Sequence, residues 1–161
     1  MSSVCCFSGH REIPDNMLDE IKRRTARAVR ALYDRGTRTF KAGGALGFDT
    51  LAALAVLDLK RDFPDVRLEL ELIAPTQAKG WNEEDAATFD YIFKNADAVR
   101  YASPVYSRST IFARNRNLVD GSGSIICYLT KKSGGTAYTV DYAAKSGLKI
   151  TNVANGGKYA L

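Results

Sequence analysis

Hydrophobic and polar positions along the chain follow two alternating patterns. Residues 66–73 alternate apolar and charged side chains with a period of two, which indicates a strand nearer the edge of a sheet. Short runs rich in apolar or β-branched residues have the length of strands and lie at residues 3–7, 37–40, 98–101, 124–129 and 149–153. The chain therefore offers a strand at regular intervals from its beginning to its end.

Helical patterns fill the intervals between these strands. In residues 15–35 apolar positions recur at spacings of three and four, as on one face of a helix, through Leu18, Ile21, Thr25, Val29 and Leu32. Further helices are predicted at residues 51–59, 81–95, 109–120 and 136–144. Regular alternation of strands and helices predicts a three-layer α/β domain with a mostly parallel sheet, spanning residues 1–161.

This architecture also predicts where a ligand binds. In mostly parallel sheets, ligands lie beyond the carboxyl ends of the strands, at a switch point in strand order. The loops expected on that rim are the least ordinary ones in the sequence, at residues 8–11, 43–47, 75–77 and 133–136. We therefore expect these loops to converge on one site.

Composition narrows the class of protein and of partner. The chain is 45% hydrophobic and 25% charged, as in globular proteins, and no apolar run approaches the roughly 20 residues of a membrane span. The first residues lack the features of a signal peptide, so we expect a cytoplasmic location and no membrane partner. The net charge of +5 suits a small anionic ligand as well as nucleic acid, but aromatic residues are not interleaved with the basic clusters.

The cysteines and the single histidine argue against metal and disulfide chemistry. Cys5, Cys6 and Cys127 lie in predicted buried strands, and the sequence has neither a Cys-x-x-Cys motif nor a second histidine beside His10. We expect reduced, buried thiols that act as small apolar residues, with no metal site and no required cofactor.

Two glycine-rich loops precede predicted helices. At a strand-to-helix junction, unhindered backbone N–H groups and the positive end of the helix dipole can bind an anion. A plain tight turn is the alternative explanation for one such loop, but two loops favour a phosphate-binding role. Their residues are Gly43, Gly44, Ala45 and Gly47 in the first loop and Gly134, Gly135 and Thr136 in the second. Thr136 can cap its helix or bind a phosphate oxygen.

Two basic segments could contact the ligand. Arg11, beside the turn residues Ser8, Gly9 and His10, can bind a phosphate through its planar guanidinium or can be an ordinary surface residue. For His10, a hydrogen-bonding role in the turn is favoured over catalysis. Arg114 and Arg116 are two positions apart on a predicted helix, so at most one faces a ligand, with Asn115 as its companion.

Two carboxylates are candidates for polar contacts or acid–base chemistry. Asp49, in the first turn after Gly47, either caps the helix or accepts hydrogen bonds from a ribose. Asp120 most simply serves the end of its helix. No catalytic triad, P-loop or Gly-x-Gly-x-x-Gly motif is present.

Taken together, these motifs resemble the YpsA-like branch of the SLOG superfamily. The resemblance rests on residues 8–11, 43–49, 117–122 and 134–136 and on the segment Pro75…Gln77…Trp81. It implies a Rossmann-like fold, a pocket for a nucleotide or nucleotide-derived ligand such as ADP-ribose, and a homodimer. It also implies that Pro75 and Gln77 contribute to that pocket, together with the loop residues, Asp49, Arg114 and Asn115.

Relatives within the superfamily supply two other hypotheses. The LOG phosphoribohydrolases carry Pro-Gly-Gly-x-Gly-Thr followed by a catalytic glutamate, whereas this chain has Ser133, then Gly134-Gly135-Thr136, and no carboxylate in residues 137–140. Cleavage of a nucleoside monophosphate at its N-glycosidic bond would therefore need Asp49 or Asp120 as the acid or base. Arg114-Asn115-Arg116 is similar to a stretch in DNA-processing protein A, which makes single-stranded DNA binding the third hypothesis.

Overall fold

The computed structural model describes residues 3–155, and these form one parallel sheet of six strands with helices on both faces. The strands are β1 (Val4–Gly9), β2 (Thr39–Ala42), β3 (Arg67–Leu72), β4 (Ala98–Tyr101), β5 (Ser124–Tyr128) and β6 (Lys149–Asn152). The helices are α1 (Leu18–Asp34), α2 (Phe48–Asp62), α3 (Glu83–Asn95), α4 (Arg108–Val119) and α5 (Gly135–Lys145), with 3₁₀ turns at Asp15–Met17 and Val153–Asn155. The predicted α/β class and mostly parallel sheet are confirmed.

The strand order creates a switch point at the centre of the sheet. The order is β4-β3-β2-β1-β5-β6, and every pairing is parallel. The chain steps outward from β1 to β4 and then returns to the other side of β1 as β5. The loops that follow β1 and β5 therefore diverge to opposite faces and leave a crevice between them at the carboxyl edge.

The core has two parts because the sheet is covered on both faces. Helices α1, α2 and α3 pack on one face around Phe7, Phe40 and Phe48, while α4 and α5 cover the other face around Cys6 and Ile125. Strands buried on both faces are apolar at consecutive positions, which explains the short unbroken runs in the sequence. All three cysteines are buried and free, as expected.

The charged positions of β3 have a specific explanation. Strand β3 is second from the edge, and its glutamates pair with Arg100 on the edge strand β4, including a 2.8 Å contact from Arg100 Nε to Glu71 Oε1.

On β2, the buried Lys41 donates to the carbonyls of Asn117, at 2.8 Å, and Asp120, at 3.1 Å. These bonds satisfy carbonyl groups at the end of α4. The sequence pattern did not predict a buried lysine there.

Candidate functional site

The loops that follow β1 and β5 border a cavity at the switch point. This main cavity, of about 320 Å³, is also lined by the loop after β2 and by α4. Its lining comprises Phe7, Ser8, Gly9, His10, Arg11, Ala45, Asp49, Ile111, Arg114, Asn115, Leu118, Lys131, Ser133, Gly134, Gly135 and Thr136. Its volume is at the lower end of the range for ligand pockets, so it suits a mononucleotide better than a dinucleotide.

His10 joins the two loops across the crevice. Its Nε2 accepts a hydrogen bond of 2.9 Å from the backbone N–H of Thr130, and the backbone N–H of His10 donates to the carbonyl of Tyr128 at 3.3 Å. Partial burial and the nearby Lys131 lower the pKa of His10. The ring is thus held as a neutral acceptor, and its hydrogen bond links two loops rather than closing a turn within one.

The amino terminus of α5 opens directly into the main cavity. Gly134 is the N-cap at a φ of +100°, and no side chain caps the helix, so of the two roles predicted for Thr136 only the binding of a phosphate oxygen stays a prediction. Among residues 3–155 none accepts a hydrogen bond from the backbone N–H of Gly135 or Thr136. A Cβ built on Gly135 would meet no atom within 4 Å. These amides therefore have the open space that an anion needs.

The first glycine loop is built differently from the second. Gly47 has a φ of +80°, and a Cβ there would lie 2.1 Å from the carbonyl oxygen of Arg11. The N–H of Phe48, at the start of α2, donates to the carbonyl of His10 at 3.1 Å. A Cβ on Gly43 would lie 2.7 Å from Arg114 Nη1 and 2.8 Å from Asp49 Oδ2. These glycines make room for the protein's own atoms, and a phosphate-binding role for residues 43–47 stays a prediction.

Asp49, Arg114 and Asn115 form a polar cluster at the buried side of the main cavity. Arg114 donates through Nη1 to the carbonyl of Gly43 and through Nε to Asn115 Oδ1 at 2.9 Å. Asp49 Oδ2 accepts from the N–H of Ala45 at 3.3 Å, so Asp49 closes its loop instead of capping α2. Asp49 Oδ1 has no hydrogen-bond partner among residues 3–155.

Burial sets the charge state of this cluster. It raises the pKa of Asp49 to about 6, although Arg114, the N–H of Ala45 and Arg11 favour the ionised form. Burial also lowers the pKa of Arg114, and the neighbouring Asp49 offsets part of that effect. A carboxyl group with a pKa near neutrality can both accept and release a proton, which is the property of a general acid or base.

Other predicted site residues lie outside the main cavity. Pro75 is exposed, and Gln77 uses its amide to join β3 to the first loop, donating to the carbonyl of Gly43 at 2.9 Å and accepting from the N–H of Ile73 at 2.7 Å. Gly44 packs beside Gln77.

Asp120 is at the opposite edge of the sheet from the main cavity. Its carboxylate accepts from the hydroxyl of Tyr142 at 2.8 Å, and Gly123, three residues later, donates to the carbonyl of Val4 at the start of β1. Helix α4 runs from the carboxyl edge to the amino edge, so its last residue cannot reach the ligand. Asp120 is therefore removed from the candidate acids and bases.

Several residues of the rim were not predicted. Lys131 lines the main cavity and could have been included, because it belongs to the same loop as Ser133, which was expected on the rim and also lines the cavity. Tyr106 lines a neighbouring cavity. It could have been predicted from its position in the loop between β4 and α4, because every strand of a parallel sheet is followed by a loop at this rim. Arg116 points away from the main cavity and donates to the hydroxyl of Tyr138 at 3.2 Å.

The raised pKa of Asp49 predicts a pH-dependent stability. Between pH 3.8 and about 6 the folded chain binds a proton that the unfolded chain has lost, so stability falls as pH rises through this window. The full effect is on the order of 3 kcal/mol. We expect Asp49→Asn to be increasingly more stable than the wild type as pH rises to about 6, measured by urea unfolding.

Asp15→Asn, at an exposed position, is the control for loss of one negative charge. A stability difference between wild type and Asp49→Asn that stays constant across the same pH range would contradict the assignment.

Comparison with known proteins finds relatives that are similar to this chain in sequence. UPF0398 proteins of Bacillus thuringiensis (strain Al Hakam) and Bacillus cereus (strain AH187) are each 26% identical to it over 134 residues, which cover 79% of this chain and 71% of theirs. None of the helices within residues 3–155 is long and apolar enough to cross a bilayer.

Two solved structures have a similar fold. DNA processing protein A from Streptococcus pneumoniae superposes with a TM-score of 0.64 and 17% identity, over 91% of this chain and 48% of that one. The corresponding protein from Helicobacter pylori, described for its single-stranded DNA binding mode, gives a TM-score of 0.63 and 17% identity, over 92% of this chain and 64% of that one. The chain thus spans less than two thirds of either protein.

The family assignment has the firmest support, because it covers most of the strands, helices and rim loops described above. The model of the YspA SLOG family (YpsA) matches residues 9–153, from the end of β1 to the end of the sheet. The chain belongs to the YspA SLOG family.

Proposed function

We propose that this chain binds a nucleotide or nucleotide-derived ligand in the main cavity. The observation that carries the proposal is the open amino terminus of α5, where the N–H groups of Gly135 and Thr136 have no acceptor among the described residues. A phosphate group would accept from these amides and would be favoured by the helix dipole. Arg11, whose side chain is exposed at the rim of the same cavity, would supply the countercharge.

The polar cluster would bind the sugar. Asp49 Oδ1 is free to accept a hydrogen bond, and Asn115 Nδ2 has no acceptor among residues 3–155. A carboxylate and an amide side by side suit the hydroxyl groups of a ribose, which both donate and accept. Arg114 would hold Asn115 through Nε and the first glycine loop through Nη1, and its charge would stabilise the ionised form of Asp49.

Isothermal titration calorimetry with AMP, ADP-ribose and NAD tests this proposal. We expect AMP to bind, and we expect Arg11→Ala to weaken binding by about tenfold through loss of one charged hydrogen bond. Arg23→Ala, an exposed arginine on α1 outside the cavity, is the matched control and should leave the affinity unchanged. Absence of binding to all three compounds at millimolar concentration would contradict the proposal.

Hydrolysis of the N-glycosidic bond of a nucleoside monophosphate is the second candidate. It is favoured by the pKa of Asp49, about 6, in a cavity that would hold both phosphate and ribose. Release of free adenine from AMP, lost in Asp49→Asn while AMP still binds, would identify the chain as an enzyme. Binding of AMP without release of adenine would assign it to the binding or sensing class.

Single-stranded DNA binding is the competing function suggested by the Helicobacter pylori structure. The similarity to that protein is one of fold, so this function needs its own evidence. It predicts an affinity for oligothymidylate that falls steeply as the salt concentration rises. Such binding, in the absence of AMP binding, would replace the proposal above.

A further inference from the structure

A second cavity adjoins the main cavity on the side of β3. This side cavity, of about 260 Å³, is bordered by Arg11 and Ala45, which also line the main cavity, and its lining includes Thr76, Gln77, Trp81 and Tyr106. Because Arg11 and Ala45 belong to both linings, the two cavities share a border, and a ligand bound at α5 would have to extend past these two residues to enter the side cavity. The function proposed above leaves the side cavity unoccupied.

The side cavity differs from the main cavity in chemistry. The main cavity contains free backbone amides and a buried carboxyl group, whereas the side cavity contains the indole of Trp81 and the phenol of Tyr106. Trp81 is partly buried, and its ring packs edge-on against Phe89, with 5.4 Å between the centroids. The ring of Tyr106 is 43% exposed, so it is available to a ligand.

We propose that the side cavity binds the aromatic base of the nucleotide. Flat heterocycles stack on aromatic side chains whatever their exact hydrogen-bonding pattern, and this cavity offers two such side chains. Thr76 and Gln77 would contact the polar edge of the base. The hydroxyl of Thr76 has no partner among the described residues, and the Gln77 amide uses only one of its two N–H bonds, to the carbonyl of Gly43.

The placement of Tyr106 connects this site to the polar cluster. Tyr106 lies close enough to Arg114 to favour the charged form of its guanidinium, and Arg114 in turn donates a hydrogen bond to Asn115. The order along the ligand is then phosphate at α5, ribose at Asp49 and Asn115, and base at Trp81 and Tyr106. This order matches the covalent order of a nucleoside monophosphate. The inference rests on the proposed function and specifies the part of the ligand that function left open.

Fluorescence gives a direct test, because Trp81 is the only tryptophan in the chain. Titration with AMP is compared with titration with ribose 5-phosphate, which has the same sugar and phosphate but no base. We expect AMP to change the fluorescence of Trp81. Ribose 5-phosphate should leave the fluorescence unchanged, although calorimetry should show that it binds. We also expect AMP to bind at least about tenfold more tightly, as one stacking contact would provide.

A variant at the second aromatic residue keeps the fluorescent reporter. Tyr106→Leu should weaken AMP binding about tenfold and leave ribose 5-phosphate binding unchanged. Tyr91→Leu, at a tyrosine that is 53% exposed on α3 and outside both cavities, is the matched control and should change neither.

The outcomes separate this inference from the proposed function. If AMP and ribose 5-phosphate bind equally well and Tyr106→Leu affects neither, the nucleotide site stands and the base site is wrong. If neither compound binds, the proposed function fails and the base site with it. A base-dependent gain in affinity that is lost in Tyr106→Leu supports both.

Discussion

Gly135→Leu is expected to lose AMP affinity by more than about 100-fold, because the leucine would occupy the space in front of the free amides of α5 and displace two charged hydrogen bonds. The variant should fold normally. A Cβ at Gly135 meets no atom within 4 Å, and leucine is a good residue for the first turn of a helix. Calorimetry with AMP measures the loss, and urea unfolding measures the stability.

Gly135→Ala is the graded control for this variant. Its single methyl group reaches less far into the main cavity, so it should bind AMP more weakly than the wild type but more tightly than Gly135→Leu. Unchanged affinity in a normally folded Gly135→Leu would mean that the phosphate does not bind at α5. The proposed function would then lose the observation on which it depends.

Gly47→Ala is expected to lose at least about 3 kcal/mol of unfolding free energy. Two effects combine at this position. The backbone has a φ of +80°, which residues with a side chain rarely adopt, and the added methyl group would lie 2.1 Å from the carbonyl oxygen of Arg11. The loops after β1 and β2 would have to separate. The free energy of unfolding in urea is the measurement.

Gly80→Ala is the control for a positive φ without a close contact. Gly80 has nearly the same φ, +84°, but nothing lies within 4 Å of a Cβ built there. This control should lose only about 1 kcal/mol, the cost of a positive φ in open space. Equal losses in the two variants would show that close contact between the loops at Gly47 is unimportant.

The arrangement of strands and helices could be predicted because the signals for them are local. Apolar runs and helical spacing identified the strands and helices, and their alternation identified a parallel sheet. The boundaries of β2 and α2, which flank the first glycine loop, were among the least accurate. β2 continues to Ala42, and α2 begins at Phe48, because the chain there is held by contacts to Gln77 and His10 that sequence does not reveal.

The roles of individual site residues could be predicted less well, because they depend on tertiary contacts. The two glycine loops look alike in sequence, yet Gly47 accommodates the backbone of Arg11 while Gly135 has only open space beside it. Similarly, Asp49 and Asp120 were both candidate acids or bases near helix ends. Only the fold separates them, since α4 carries Asp120 to the far edge of the sheet.

A crystal structure of the chain with AMP tests the central claim most directly, because it locates the phosphate. We predict phosphate oxygens within hydrogen-bonding distance of the backbone N–H groups of Gly135 and Thr136, with the ribose beside Asp49. Density for AMP at another surface, with the amino terminus of α5 still uncovered, would contradict the claim.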